Sequence, residues 1–282
     1  GDSGYLHNDS VNIEIGDCRK AGDHHMHMGR VMSGELKVGD KVATSVDATV
    51  RQATALNHSA THLLHAALQQ VVGEHVQQKG SLVNSERLRF DFSNDEAVTP
   101  EQIRKIEHIV NAEILRNTSV TTEVMSMDDA VTKGAMALFG EKYGDEVRVL
   151  SMGGDFSVEL CGGTHASRTG DIGLVRVTGE SSVASGVRRI EAVTGEKAID
   201  YCDQLQDTIA DVTAVVRASG SNVTDKVRQV LDDNRRLQKE IEALKSKLAN
   251  ASGTDLMAGL KQINGVGVLA TVVEGADAKS LR

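Results

Sequence analysis

The apolar positions change their period several times along the chain, and each change predicts an element. Between residues 49 and 73 they recur at three and four (Leu56, Leu63, Leu64, Ala67, Leu68, Val71 and Val72), which predicts a helix that stops at Gly73. The segment TPEQIRKIEHIVNAEILRN (99–117) keeps that period through Ile103, Ile106, Ile109, Val110 and Ile114. Thr99 supplies a cap and Pro100 takes the first helical position. Alternation predicts strands elsewhere. VNIEI (11–15) alternates, and GELKVGDKVATSVD (34–47) reads as two strands around the turn Gly39-Asp40. KGSLVNSERLRFDFS (79–93) reads as a hairpin with Leu88, Phe90 and Phe92 on one face, and VRVLSM (147–152) and GLVRVTGE (173–180) add further strands. Short strands over 1–48 suit part of a small β-barrel, and mixed helices and strands over 49–198 suit an α+β domain.

From residue 199 the period changes again. Val223, Val227, Val230, Asn234, Leu237, Ile241, Leu244 and Leu248 follow an unbroken 4-3-4-3 spacing, the seam of a coiled coil. Leu205, Ile209, Val212 and Val216 form an earlier stripe, and SGSN (219–222) breaks the two. This predicts a long antiparallel helical hairpin over 199–252, with Asn234 as a register-setting core polar residue. GVGVLATVVEG (265–275) reads as a strand, and 253–282 as the truncated start of a further α/β segment. Gly1 opens a loop-like run without Met, so the chain reads as a piece cut from a longer one.

Composition narrows the class. A chain of 282 residues calls for two or three units. Aromatic residues are 2% of it, Trp is absent, and the cores must come from Val, Leu, Ile, Ala and Met. No apolar run of about 18 residues exists, so no membrane span is expected. Cys18, Cys161 and Cys202 are too scattered for a disulfide framework, which points to a reducing cytoplasm. A net charge of −9 argues against a general nucleic-acid coat but leaves room for a local basic strip.

Candidate chemistry gathers in two places. NHSATHLLH (57–65) holds three of the ten histidines in nine residues. His58 and His62 are four apart and share one helix face, and His65 follows three later. A metalloprotease of the H-E-x-x-H kind needs a Glu where Ser59 stands, so its base is missing. Taken alone, H-x-x-x-H does not separate a ligand pair from helix-surface or core histidines. In VELCGGTHASRTGDIG (158–173), Cys161 and His165 are again four apart, around Gly162-Gly163. One thiolate and three imidazoles make a tetrahedral donor set suited to Zn²⁺, against the plainer reading of a buried cysteine beside a turn.

LNHSATHLLHAAL, HVQQKGSLV, LRFDFS, GAMALFGEKYG and VELCGGTHASRTGDIG together resemble the editing domain of bacterial alanyl-tRNA synthetases. Threonyl-tRNA synthetase editing domains and free-standing alanyl editing proteins share these signatures more loosely. The resemblance covers nearly the whole chain. It implies part of a β-barrel domain at 1–48, the editing domain at 49–198, a helical hairpin at 199–252 and the start of the C-terminal domain at 253–282. The ATP-dependent alanine-ligating domain of the parent enzyme is not part of it.

Residue by residue, the resemblance implies Zn²⁺ on His58, His62, Cys161 and His165, with His65 packed or hydrogen-bonded beside them. It places Gln78 in the editing pocket and turns Thr61 toward it. Glu159, two residues before Cys161, would project to the same side of a strand and joins Gln78 and Thr61 as a catalytic candidate. Arg89 and Asp91 either reach the site or pair at the surface, Lys142 is a candidate phosphate contact, and Arg168, Arg188 and Arg189 are candidate tRNA contacts. The implied reaction is hydrolysis of Ser-tRNA(Ala) and Gly-tRNA(Ala), with possible self-association of the full-length parent. Two other readings stay open: a free-standing deacylase acting in trans, and a non-catalytic, zinc-stabilised tRNA-binding module.

Overall fold

The computed structural model describes residues 1–22, 24–136, 144–256 and 259–270. The chain divides into two compact units, Gly1–Asp203 and the residues from Gln204 onward. No helix among the described residues is long and apolar enough to cross a membrane.

The first unit opens with β1 (Gly4–His7), β2 (Val11–Ala21), β3 (His24–Gly34) and β4 (Ala43–Val46), an antiparallel sheet in the order β3-β2-β1-β4. Val11, Ile13 and Ile15 alternate onto one face and form its small core with Leu6, Cys18 and Val42. The expected barrel does not close among the described residues, since β3 and β4 are both edges. The turn at Gly39-Asp40 is present, but strands do not flank it. Asp40 accepts from the Lys37 amide at 2.8 Å and donates its own amide to the Lys37 carbonyl at 3.1 Å, so the turn closes on itself. β4 pairs with β1 instead of with the segment before the turn.

The central layer comes next: α1 (Ala48–Val71), β5 (Gln78–Val83), β6 (Leu88–Ser93) and α2 (Pro100–Leu115). Asp47 caps α1 by accepting from Thr49 and Val50, and Thr99 and Gln102 close a capping box on α2. β7 (Thr121–Ser126), α3 (Met127–Thr132), β8 (Glu146–Met152) and β9 (Ser157–Leu160) build a three-stranded sheet, β7-β8-β9, with its own core around Val147, Val149, Val158 and Leu160. After a short turn of helix at Thr169–Ile172, β10 (Val175–Ala184) and β11 (Val187–Thr194) complete the sheet β10-β11-β6-β5. Leu88, Phe90 and Phe92 face α1 and α2, and with Leu63, Leu64, Leu68, Ile106, Val110 and Ile190 they form the main buried core. The predicted hairpin and both predicted helices are in place to within a few residues.

α4 (Gly195–Val215) and α5 (Val223–Leu256) meet the predicted break at Gly220–Asn222. The seam residues Val230, Leu237, Ile241, Leu244 and Leu248, and Leu205, Ile209 and Val212 before the break, are exposed. Val216, Val223 and Val227 beside the break are half-buried, but away from it neither stripe is covered among the described residues, so the packed antiparallel pair that the periodicity predicts is not seen along its length. The period tells which face is apolar, while what covers that face is a non-local matter. β12 (Lys261–Ile263) and β13 (Val266–Val268) form a short hairpin; only β13 falls in the segment 265–275 read as a strand, and residues 271–275 of that reading lie outside the described residues.

Candidate metal centre

α1 carries His58 and His62 on one face, and the loop after β9 brings Cys161 and His165 against them. One ligand atom from each of the four side chains lies within 4.8 Å of all the others. Cys161 Sγ is 3.2 Å from His165 Nε2 and 3.6 Å from His58 Nε2. The rings of His58 and His165 approach to 4.3 Å between centroids. This convergence joins helix to loop across about a hundred residues of sequence.

Several contacts press the loop into place. Ser59 Oγ donates to the Ala55 carbonyl and accepts from the Ala166 amide, each at 2.9 Å, and it also lies 3.4 Å from His165 Nδ1. Arg148 on β8 donates to the Gly163 carbonyl at 2.6 Å, and Arg51 on α1 reaches Thr164 Oγ1 at 3.4 Å. A Cβ at Gly163 would lie 2.2 Å from His58 Cε1, so any side chain there would displace that ring. Neither Ser59 nor Arg148 was read as a site residue. Ser59 stands inside the motif, at the position where a metalloprotease carries its Glu. Arg148 carries no local signal, because only the sheet brings it to the loop.

Glu159 is 2% exposed and lies under the cluster, with Oε2 2.7 Å from His62 Nδ1 and Oε1 3.1 Å from His65 Nδ1. His62 Nε2 is buried without a hydrogen-bond partner among the described residues, as is His65 Nε2. A buried orphan nitrogen beside a thiol and two more imidazoles fits a metal ligand. The electrostatics point the same way. Burial disfavours the charged form of His62, but the Glu159 carboxylate outweighs it and the imidazole is pushed up to about 10. Burial also opposes ionisation of Glu159, but His62 and His65 hold the carboxyl down at about 2. For Cys161 burial is again overcome, here by contacts with His165 and His58 and by the charge of His62, and the thiol falls to about 3. His165 is lowered, chiefly by burial. The surroundings of His62 thus favour positive charge, which a divalent cation placed there would supply.

The other predicted residues divide. Thr61 is buried, and its hydroxyl donates to the Asn57 carbonyl one turn back at 2.9 Å. Gln78 opens β5 opposite Phe92, half-buried, beside the irregularity at Gly80. Neither is part of the four-residue cluster. Arg89 and Asp91 pair on the sheet face turned away from the core, with Asp91 gripped by both Arg189 nitrogens at 2.6 and 2.8 Å. Arg188 is held likewise by Glu180, and Arg168 donates to Asn117 and Ser119. These three arginines are therefore engaged by the protein's own acceptors. Lys142 lies outside the described residues.

Residues 147–191, which supply β8, β9, the Cys161–His165 loop, β10 and part of β11, match the family described as Threonyl and Alanyl tRNA synthetase second additional domain. Cys161 and His165 lie in the segment similar to that family, while His58 and His62 lie outside it. Along its entire length, moreover, the chain is similar to part of several alanine–tRNA ligases. It is 61% identical over 282 residues to that of Saccharophagus degradans and 58% identical over 281 residues to that of Pseudomonas fluorescens. The Pseudomonas entomophila enzyme is 55% identical over 281 residues. The chain spans 32% of the length of each of these relatives.

Proposed function

We propose that this chain is the editing part of an alanine–tRNA ligase, which hydrolyses the ester of serine or glycine mischarged onto tRNA(Ala). The observation that carries the reading is the convergence of His58, His62, Cys161 and His165 in a chain homologous to those ligases. The chemical need is plain. A pocket shaped for alanine cannot strongly reject glycine, which is smaller, or serine, which adds only a hydroxyl, so a second sieve is required. The parent's own reaction, joining alanine to tRNA(Ala) with ATP, belongs to the larger protein. A cytoplasmic setting fits three unpaired cysteines.

In this reading water attacks the ester carbonyl and the terminal adenosine hydroxyl leaves with a proton. Zinc, when bound by the four side chains, would supply Lewis acidity toward water or carbonyl, or a fixed charge that anchors the substrate. Glycine enters by size. For serine, Thr61 is the proposed selector: its proton is given to Asn57, and its lone pairs remain free to accept from the serine hydroxyl. Gln78 is the second candidate. Thr61→Val keeps the shape and should reduce the preference for Ser-tRNA(Ala) over Ala-tRNA(Ala) by about 1–3 kcal/mol. An unchanged ratio at full zinc content moves that role to Gln78.

The four-donor shell favours a second reading, a zinc-stabilised tRNA-binding module without catalysis, because catalytic zinc usually keeps an open position. Release of serine from Ser-tRNA(Ala), with and without chelator and with Cys161→Ala, separates the two. Hydrolysis lost along with the metal supports editing. No hydrolysis by the zinc-loaded chain supports the structural module.

A further inference from the structure

Taking the Cys/His cluster as a zinc centre, as proposed above, we infer that Glu159 is its positioning carboxylate: one oxygen fixes His62 as a ligand, while the other is locked by His65. The sequence placed Glu159 among the reacting groups. Its surroundings give it another task. Oε2 is taken by His62 Nδ1 at 2.7 Å and Oε1 by His65 Nδ1 at 3.1 Å, with Ser157 Oγ 3.4 Å from the same Oε1. At 2% exposure no edge of the carboxylate is open to an attacking water.

A carboxylate only accepts, so each Nδ1 that meets it carries the hydrogen. In the neutral tautomer the lone pair then sits on Nε2. That is the atom of His62 which has no hydrogen-bond partner among the described residues, and His62 is one of the four residues whose ligand atoms converge. A ligating histidine ordinarily gives its other N–H to a carboxylate or carbonyl, which fixes the ring and raises its basicity. Here a second histidine holds the far oxygen, and the His65 ring rests on Phe90 at 5.1 Å between centroids. With one oxygen on each histidine the carboxylate cannot turn without breaking a hydrogen bond. The backbone of Glu159 is anchored too, by the bridge to Met136. His65 thus has a place in the centre without being a ligand: it locks the residue that aims one.

The test uses the full chain and measures zinc affinity by chelator competition, the visible spectrum of the cobalt-loaded form and the urea midpoint in chelator. Glu159→Gln keeps one carbonyl oxygen for His62 and should weaken zinc about tenfold; Glu159→Met keeps none and should weaken it about a hundredfold. His65→Phe preserves the contact with Phe90, frees the far oxygen and should weaken zinc less than Glu159→Gln does. The cobalt bands of each loaded variant should shift as the His62 ring is released; the urea midpoint in chelator should stay near the parent's in Glu159→Gln, while Glu159→Met, which leaves both imidazole N–H groups unmet, should also lower it. Equal zinc affinity and an unchanged cobalt spectrum in Glu159→Met would overturn the inference. So would an affinity loss in Glu159→Gln that only follows a loss of stability in chelator, since that marks a packing role. A parent chain that binds neither zinc nor cobalt fails at the earlier step, and the zinc centre itself is then wrong.

Discussion

Helices α1 and α5 are both long and both carry an apolar stripe, yet they end in opposite surroundings. α1 lies on the sheet against α2, and Leu63, Leu64, Ala67 and Leu68 are fully buried. α5 is longer and its seam more regular, but Leu237, Ile241 and Leu244 are about half exposed. The polar residues reverse the contrast. α1 buries Asn57, Ser59, Thr61, His62 and His65, while Asn234 on α5 is exposed. A regular apolar stripe is therefore a poor guide to burial. A buried polar side chain is a better one, because it persists only where the fold supplies partners. For α1 those partners are Asn84, Thr194, Glu159 and Ala166, drawn from four separate segments.

The contrast is easiest to break at its apolar end. Leu64→Ala on α1 should lower unfolding stability by about 2–5 kcal/mol, read from urea unfolding followed by circular dichroism. Asn57→Ala comes next: Asn57 donates to the carbonyl of exposed Asn84 at 2.8 Å and accepts from buried Thr194 at 2.9 Å, and the Thr194 hydroxyl would be left buried and unmet. The expected loss is about 1–3 kcal/mol, and adding Thr194→Val should recover part of it. Gly163→Ala pushes a methyl into His58 and should destabilise by a similar amount, about 1–3 kcal/mol, while displacing a proposed ligand; zinc titration of the folded variant checks it. Removing the α1 cap with Asp47→Ala should cost about 1 kcal/mol. The smallest effect is expected on α5, where Leu237→Ala should change stability by no more than about 0.5 kcal/mol. A loss there as large as that of Leu64→Ala would mean that the seam is covered in solution, and the comparison would collapse.

Much of the central layer was legible in the sequence because its signals are local. Thr99 and Pro100 mark the start of α2, and the stripe from Ile103 to Ile114 runs to its end. The alternation of Leu88, Phe90 and Phe92 gives both the strand and its buried face. The N-terminal region was less legible. Its 11-residue strand β3, HHMHMGRVMSG, has no alternation of polar and apolar residues to announce it, and it is exposed throughout. The turn at Gly39-Asp40 is a real local structure, but the strand pairing drawn around it belongs to β1 and β4.

The candidate metal centre divides along the same line. The sequence by itself determined the two donor pairs. A spacing of four puts His58 and His62 on one helix face, and glycines let Cys161 and His165 turn toward one point; both follow from backbone geometry over a few residues. Only the tertiary structure decided that the two pairs meet, that Glu159 spans His62 and His65, and that Arg148 grips the Gly163 carbonyl. The physical reason is range. Helix period and turn chemistry act over a few neighbouring residues, whereas a buried carboxylate, an orphan imidazole nitrogen and an arginine on a loop carbonyl are placed by packing between segments about a hundred residues or fewer apart in the chain, which no local pattern encodes.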